Sequence, residues 1–169
     1  VDSGIPLLTA KNVKVGYISE KPREYIPVEE YEEWMVRGFP KTGNVLFTTE
    51  APLGQAALLP HYEKVAIAQR LICFQPNESL DSNYLLHTIL SPLFQAELNR
   101  RATGSTAKGI RSKELAKIEI PIPPLNVQKE FNERVQAIEA QKAQAQASLA
   151  QAEDLFNSLL QRAFKGDLV

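Results

Sequence analysis

The sequence predicts an α/β (α+β) globular region with a mixed sheet, followed by one long C-terminal coiled-coil helix. Three observations carry this expectation. All 11 prolines stand at or before Pro124, and seven of the eight glycines at or before Gly109. Residues 125–165 contain neither, so whatever forms there is free of the two strongest breakers of regular structure. Before that point, short Val-, Ile-, Leu- and Phe-rich runs alternate with two stretches of helical pattern. The expected units are therefore residues 1–124 and 125–169.

Taken in order, Pro6–Leu8, Val13–Ile18, Asn44–Thr49, Ala56–Leu59, Val65–Phe74 and Lys117–Ile122 read as strands. Val28–Arg37, entered from Pro27, reads as a helix. Ser82–Arg101 reads as a second, capped by Asp81 or Ser82 and kinked or divided at Pro92, whose ring cannot sit in a helix interior. Pro121, Pro123 and Pro124 then stop the run KIEIPI, and Asn126 is the expected N-cap of the long helix.

The long helix rests on its period. Phe131, Val135, Ile138, Lys142, Ala145, Leu149, Ala152, Phe156, Leu159 and Ala163 follow alternating steps of four and three. Lys142 alone breaks the apolar rule, so the pattern is that of a coiled-coil seam. The middle, AQKAQAQASLAQAE, offers mostly alanine, which lets backbones approach but buries little area per residue. Such a helix needs something alongside it, a second long helix or, as the alternative, its own domain. Phe131, Val135, Ile138, Ala145, Leu149, Ala152, Phe156 and Leu159 are the expected interface. Gly166, behind Arg162 and Lys165, reads as the glycine that ends it.

Composition excludes several classes. The chain has 169 residues, 44% of them hydrophobic and 23% charged, with 19 Lys and Arg against 20 Asp and Glu. A net charge of −1 rules out an overall basic footprint but not a local one. The single Cys73 cannot form an internal disulfide. No apolar run reaches membrane-spanning length and VDSGIPLL has no signal-peptide pattern, so a cytoplasmic protein without membrane contact is expected. Val1 is not an initiator, which suggests a fragment or processed chain.

Catalytic and metal chemistry have no visible constellation. His61 and His87 lie in different segments without ligand spacing, and Cys73 sits in the apolar run RLICF, where an inert thiol is expected. Phosphate-loop, dinucleotide, hydrolase and zinc-peptidase motifs are missing. Glu29, Glu30, Glu32 and Glu33 in VEEYEEW fit a solvated helix start. Neither cofactor nor metal is expected.

Two segments carry binding chemistry instead. In RRATGSTAKGIRSKELAK, six cations (Arg100, Arg101, Lys108, Arg111, Lys113, Lys117) face one acid, Glu114, for a local charge of +5. Gly104 and Gly109 let backbone amides approach an anion, and Ser105 and Thr106 can donate to phosphate oxygens. A charge run taken alone reads first as a solvated loop. In GNVLFTTEAPLGQAALL, a strand–turn–strand pattern gathers Thr48, Thr49, Glu50 and Gln55 around Pro52 and Gly54. Glu accepts from cytosine N4 and Gln pairs with adenine N6 and N7, so the turn has base-reading chemistry; a plain surface hairpin is the alternative.

The ordered set GIPLLTAKNVKVGYIS, GNVLFTTEAPLGQAAL, NYLLHTILSPLFQ, GSTAKGIRSKELAKIEIPIPPLNVQKEF and LLQRAFKGDL resembles the specificity subunit of type I restriction–modification enzymes. The block from Gly104 to Phe131 is the most specific. It matches the family's pattern at Gly104, Ser105, Thr106, Ile110, Leu115, Ile118, Ile120, Pro121, Pro123, Pro124, Leu125 and Gln128. The resemblance implies a non-catalytic DNA-reading domain plus a spacer helix, which reads one half of a bipartite site in double-stranded DNA. Its implied partners are the methyltransferase (M) and nuclease/translocase (R) subunits, and a second long helix from the other half-subunit or from a homodimer copy. The AFKGDL ending implies the C-terminal half. Under this reading Lys11, Asn12, Thr49, Glu50 and Gln55 would read bases, while Ser105, Thr106, Lys108, Arg111 and Lys113 would hold phosphate. Two other classes fit the residues: a coiled-coil protein-interaction adaptor without DNA binding, and the recognition domain of a fused DNA methyltransferase.

Overall fold

The computed structural model describes residues 3–166, so Asp167 and Leu168 of the AFKGDL ending lie outside the described residues. The chain divides into two compact units, residues 1–128 and 129–169.

The first unit holds two three-stranded sheets. Strand β1 (Ile5–Leu8) pairs antiparallel with β2 (Glu24–Ile26) and parallel with β5 (Ala66–Ile67), giving a mixed sheet of order β2-β1-β5. Strand β3 (Val45–Thr48) lies between β4 (Ala56–Leu58) and β6 (Leu71–Phe74) in an antiparallel sheet of order β4-β3-β6. All four residues of β3 are buried, because both faces of the strand are covered. Val45 and Phe47 face a cluster with Leu85, Leu86 and Ile89 of α2 (Ser82–Leu90) and Phe94 and Leu98 of α3 (Pro92–Arg101). Leu46, one step out of phase, faces Leu8, Val13, Leu59, Val65 and Leu71. A central strand buried on both faces reads as a continuous apolar run rather than an alternating one.

The helix pair forms as the sequence predicts. The Asp81 carboxylate accepts from the amides of Asn83 and Tyr84 and caps α2. Ser91 then ends α2 and caps α3, with Pro92 in the first turn, so the proline divides the helix rather than bending it.

Five expectations need correction. Val13–Ile18 is not a strand: the Lys14 amide donates to the Tyr17 carbonyl across a turn in which Gly16 takes φ +85°, and only Val13 and Ile18 bridge. Val65–Phe74 is split between the two sheets, because the Leu71 amide donates back to Ala68 and redirects the chain. Val28–Arg37 shrinks to a 3-10 turn (Val28–Glu30) and the short α1 (Tyr31–Trp34). Lys117–Ile122 makes no ladder. The amides of Lys117 and Ile118 donate to the short helix α4 (Ser112–Leu115) and Pro121 has no donor, while Ile118 and Ile120 pack on the core by their alternation alone. Asn126 lies inside helix α5 (Leu125–Lys165), whose first turn closes onto the Pro124 carbonyl. Strand β2 and helix α4 have no counterpart in the sequence reading, each being three or four residues long.

Within the first unit, Gln128 is fully buried at the first turn of α5. Its Oε1 accepts from the Asp81 amide at 2.8 Å, and its Nε2 donates to the carbonyls of Ser79 at 3.0 Å and Pro123 at 2.7 Å. This side chain ties together the loop before α2, the proline segment and the helix start. The second unit continues α5 as an unbroken helix to Lys165. Gly166 follows at φ +81°, with its amide on the Ala163 carbonyl, as a helix-ending glycine should.

Candidate nucleic-acid interface

The hairpin between β3 and β4 and the basic loop after α3, far apart in sequence, meet in space. The amides and carbonyls of Thr103 and Gly109 bond reciprocally at 2.9 Å and close the loop 103–109. The next amide, Ile110, donates to the Thr49 carbonyl at 2.9 Å, and Gly109 bridges Glu50. Gly104 sits at φ +110°, where an added Cβ would land on the Ala107 carbonyl oxygen, so the turn requires glycine. Ser105, Thr106 and Lys108 are exposed on the loop, and Arg111 and Lys113 are exposed where it enters α4. The loop and the hairpin end therefore form one surface.

Ion pairs sort the cations of this stretch. Arg100 Nη2 and Arg101 Nε lie 2.6 and 2.5 Å from Glu97 Oε1. Their hydrogen bonds, that of Arg100 first, hold the Glu97 carboxyl down at about 2. Lys117 lies 2.6 Å from Glu114 and lowers that carboxyl likewise. Among the described residues no carboxylate lies within ion-pair distance of Lys108, Arg111 or Lys113. The charge of this stretch that carboxylates leave unpaired thus sits on these three side chains.

The base-reading set fares unevenly. Thr49 and Glu50 stand on the shared surface, half-exposed; the Thr49 hydroxyl donates to the Arg70 carbonyl at 3.1 Å. Lys11 is exposed on the Thr9–Asn12 turn, apart from the loop's hydrogen bonds. Asn12 is a correction. It is 2% exposed, its Oδ1 accepts from the Thr9 amide and hydroxyl, and its Nδ2 donates to the carbonyls of Ser19 and Pro22. With both acceptor and both donor positions filled, it has no capacity for a base. Gln55 is a second correction: its Oε1 is buried, and a bidentate contact to adenine needs both amide atoms at the surface.

The sequence reading missed Arg70. It stands exposed on the turn between β5 and β6, with Nε 2.7 Å from Glu50 Oε1. Outside this surface, burial pushes the Cys73 thiol up to about 11, the Gln75 side chain pulling the other way, so it is a poor nucleophile. His61 lies in a loop beside Thr42, 3.4 Å from its hydroxyl, and His87 on α2.

The second candidate surface is α5. Ile138, Leu149 and Phe156 of the seam are 60–62% exposed, and Phe131 and Leu159 are exposed as well, with Ala145 and Ala152 between them; Val135 is half-buried. Leu155, Leu160 and Phe164, outside the four-three seam, are exposed too and widen the apolar face towards the helix end.

A two-sheet α/β domain running into one long, apolar-faced helix is the arrangement of a type I DNA specificity domain. The chain belongs to that family: the model of the type I restriction modification DNA specificity domain matches residues 37–153. It is similar to the MjaVIII specificity subunit of Methanocaldococcus jannaschii, at 27% identity over 82% of this chain and 34% of the relative. It is similar also to the EcoKI specificity subunit of Escherichia coli, at 26% identity over 98% of this chain and 38% of the relative. The chain thus spans little more than a third of these relatives. Among solved structures, the HsdS subunit from Thermoanaerobacter tengcongensis shares the fold with a TM-score of 0.64 and 22% identity, over 99% of this chain and 39% of that one. A structure from work on complex assembly and conformational transition of the type I R-M system does so with a TM-score of 0.66 and 24% identity, over 98% and 40%.

Proposed function

We propose that this chain is one target-recognition half of a type I specificity subunit: residues 1–124 read one half of a bipartite DNA site, and residues 125–169 form the spacer helix. The observation that carries the reading is the meeting of the β3–β4 hairpin with the glycine-closed basic loop. There, three cations without carboxylate partners stand beside side chains that can hydrogen-bond a base edge. Lys108, Arg111 and Lys113, with Ser105 and Thr106, hold phosphate. Thr49 faces the bases, Glu50 lines the same surface, and Lys11 contributes from its separate turn. The apolar face of α5 takes a second long helix, from the other half-subunit or from a second copy. Cleavage and methyl transfer belong to the nuclease and methyltransferase subunits that the assembled specificity subunit docks in the cytoplasm, and this chain holds neither cofactor nor metal.

The test is the salt dependence of DNA binding by the complex assembled with its methyltransferase subunits. Each neutralised phosphate adds about 0.9 to the slope of log K against log salt. Changing Lys108, Arg111 and Lys113 together to Ala flattens the slope by up to about 2.7 and weakens cognate and random duplexes alike. A wild-type slope in the triple variant would make the loop a solvated connector and defeat the reading.

A further inference from the structure

We propose that Arg70 is a guanine-reading side chain, and that Glu50 is not a base reader itself but the residue that positions it. The inference rests on the reading of this surface as the DNA-facing one.

Arg70 is held at both ends. Its carbonyl accepts from the Thr49 amide at 2.9 Å and the Thr49 hydroxyl at 3.1 Å, which anchors the β5–β6 turn to the end of β3. Its side chain, 59% exposed, meets the Glu50 carboxylate through Nε at 2.7 Å. Glu50, half-exposed, is bordered on one side by the closed loop. A Cβ on Gly109 would come within 3.3 Å of Glu50 Cβ and 3.4 Å of Oε2, so the glycine makes room for the carboxylate against the closed loop. The basic loop therefore lies against Glu50, and Glu50 orients the guanidinium.

The chemistry selects the ligand. An end-on guanidinium contact uses Nη1 and Nη2 as parallel donors, and Nε is the donor it leaves unused. Nε is the atom through which the Glu50 ion pair closes. Two parallel donors match the paired acceptors O6 and N7 on the major-groove edge of guanine. Phosphate fits less well. The Arg70–Glu50 pair is close to neutral and adds little counterion release, whereas Lys108, Arg111 and Lys113 supply that term nearby. A fixed, charge-compensated arginine among free cations suits reading a base more than holding a backbone.

The experiment is selection of binding sites from a randomised duplex library by the enzyme assembled with its methyltransferase subunits. It compares wild type with Arg70→Ala, Arg70→Lys and Glu50→Gln. The expected result is one guanine position in the selected half-site that both Arg70 variants make degenerate. Preference there falls about 5- to 150-fold, while the other positions and the salt slope stay as in wild type. Arg70→Lys keeps the charge and loses the fork, so its failure separates base reading from simple attraction. Glu50→Gln relaxes the same position by a smaller factor. Thr49 bonds the Arg70 carbonyl, not its side chain, so the variants keep the anchoring bonds, and matching melting curves check this. An unaltered selected site in Arg70→Ala overturns the proposal. So does a uniform loss across all duplexes with a shallower slope that Arg70→Lys restores. If wild type selects no sequence, the DNA-recognition reading fails too; if wild type selects and Arg70→Ala selects the same site, only the role of Arg70 fails.

Discussion

Gln128 is the place where one substitution should cost the first unit most per atom removed. Its amide makes three hydrogen bonds to backbone groups of two segments, the loop before α2 and the proline run, and the side chain is wholly buried. At a net of about 1 kcal/mol for each bond, losing all three costs about 3 kcal/mol. That is a large share of the roughly 5–15 kcal/mol that holds a domain of this size together. Gln128→Leu keeps most of the volume and removes every bond, so it isolates this term from that of a cavity. Gln128→Glu keeps the acceptor facing the Asp81 amide but turns the donor towards Ser79 and Pro123 into a second acceptor. It should therefore be worse at neutral pH than near pH 3, where the protonated carboxyl can donate once. Urea unfolding followed by the fluorescence of the single Trp34, which donates to the Ile67 carbonyl within the first unit, reports this unit without the signal of the long helix. A Gln128→Leu variant within about 0.5 kcal/mol of wild type would refute the reasoning, since that is the spread expected of an uninvolved surface position.

Other outcomes follow from the same geometry. The isolated chain should self-associate through α5, and Leu149→Lys with Phe156→Lys should give monomers in sedimentation; a monomeric wild type would remove the basis for a helix pair. Gly104→Ala should strain the loop by about 1–3 kcal/mol and speed hydrogen exchange at the Thr103 and Gly109 amides, with no change expected at β3. The Glu97 carboxyl is held at about 2, below its ordinary 4.5, so its contribution to stability is complete above about pH 4.5 and disappears as pH falls towards 2. Glu97→Gln should lose that part of the pH dependence, and identical unfolding curves from pH 5 to pH 2 would contradict it.

The long helix was legible because its signal is repeated: four heptads of spacing and 41 residues without proline or glycine point the same way. The α2–α3 break was legible because Pro92 permits few alternatives. The errors fall where a local pattern has two solutions. KIEIPI alternates like a strand, yet alternation needs only one buried face. Packing Ile118 and Ile120 on the core satisfies it without any ladder. Val65–Phe74 is apolar along its length because each half enters a different sheet, and a composition run does not record where a chain changes neighbours.

The candidate site divides along the same line. The loop was visible because Gly104, Gly109 and three cations are neighbours in sequence. Asn12 and Gln55 were misread because residue type states what a side chain can bond, not what it already bonds; the fold consumes Asn12 completely and buries the Gln55 carbonyl. Arg70 was invisible for the complementary reason. In sequence it is one charge in the turn AQRL, 20 positions from Glu50. Only the antiparallel register of β3 with β6, which sets Thr48 opposite Leu71, places the arginine against the residues that follow Thr48. A specificity element of this kind is assembled by strand register. Moving the register by one residue would turn every β6 side chain to the opposite face and carry Arg70 out of reach of Glu50, with no change in the composition of either segment.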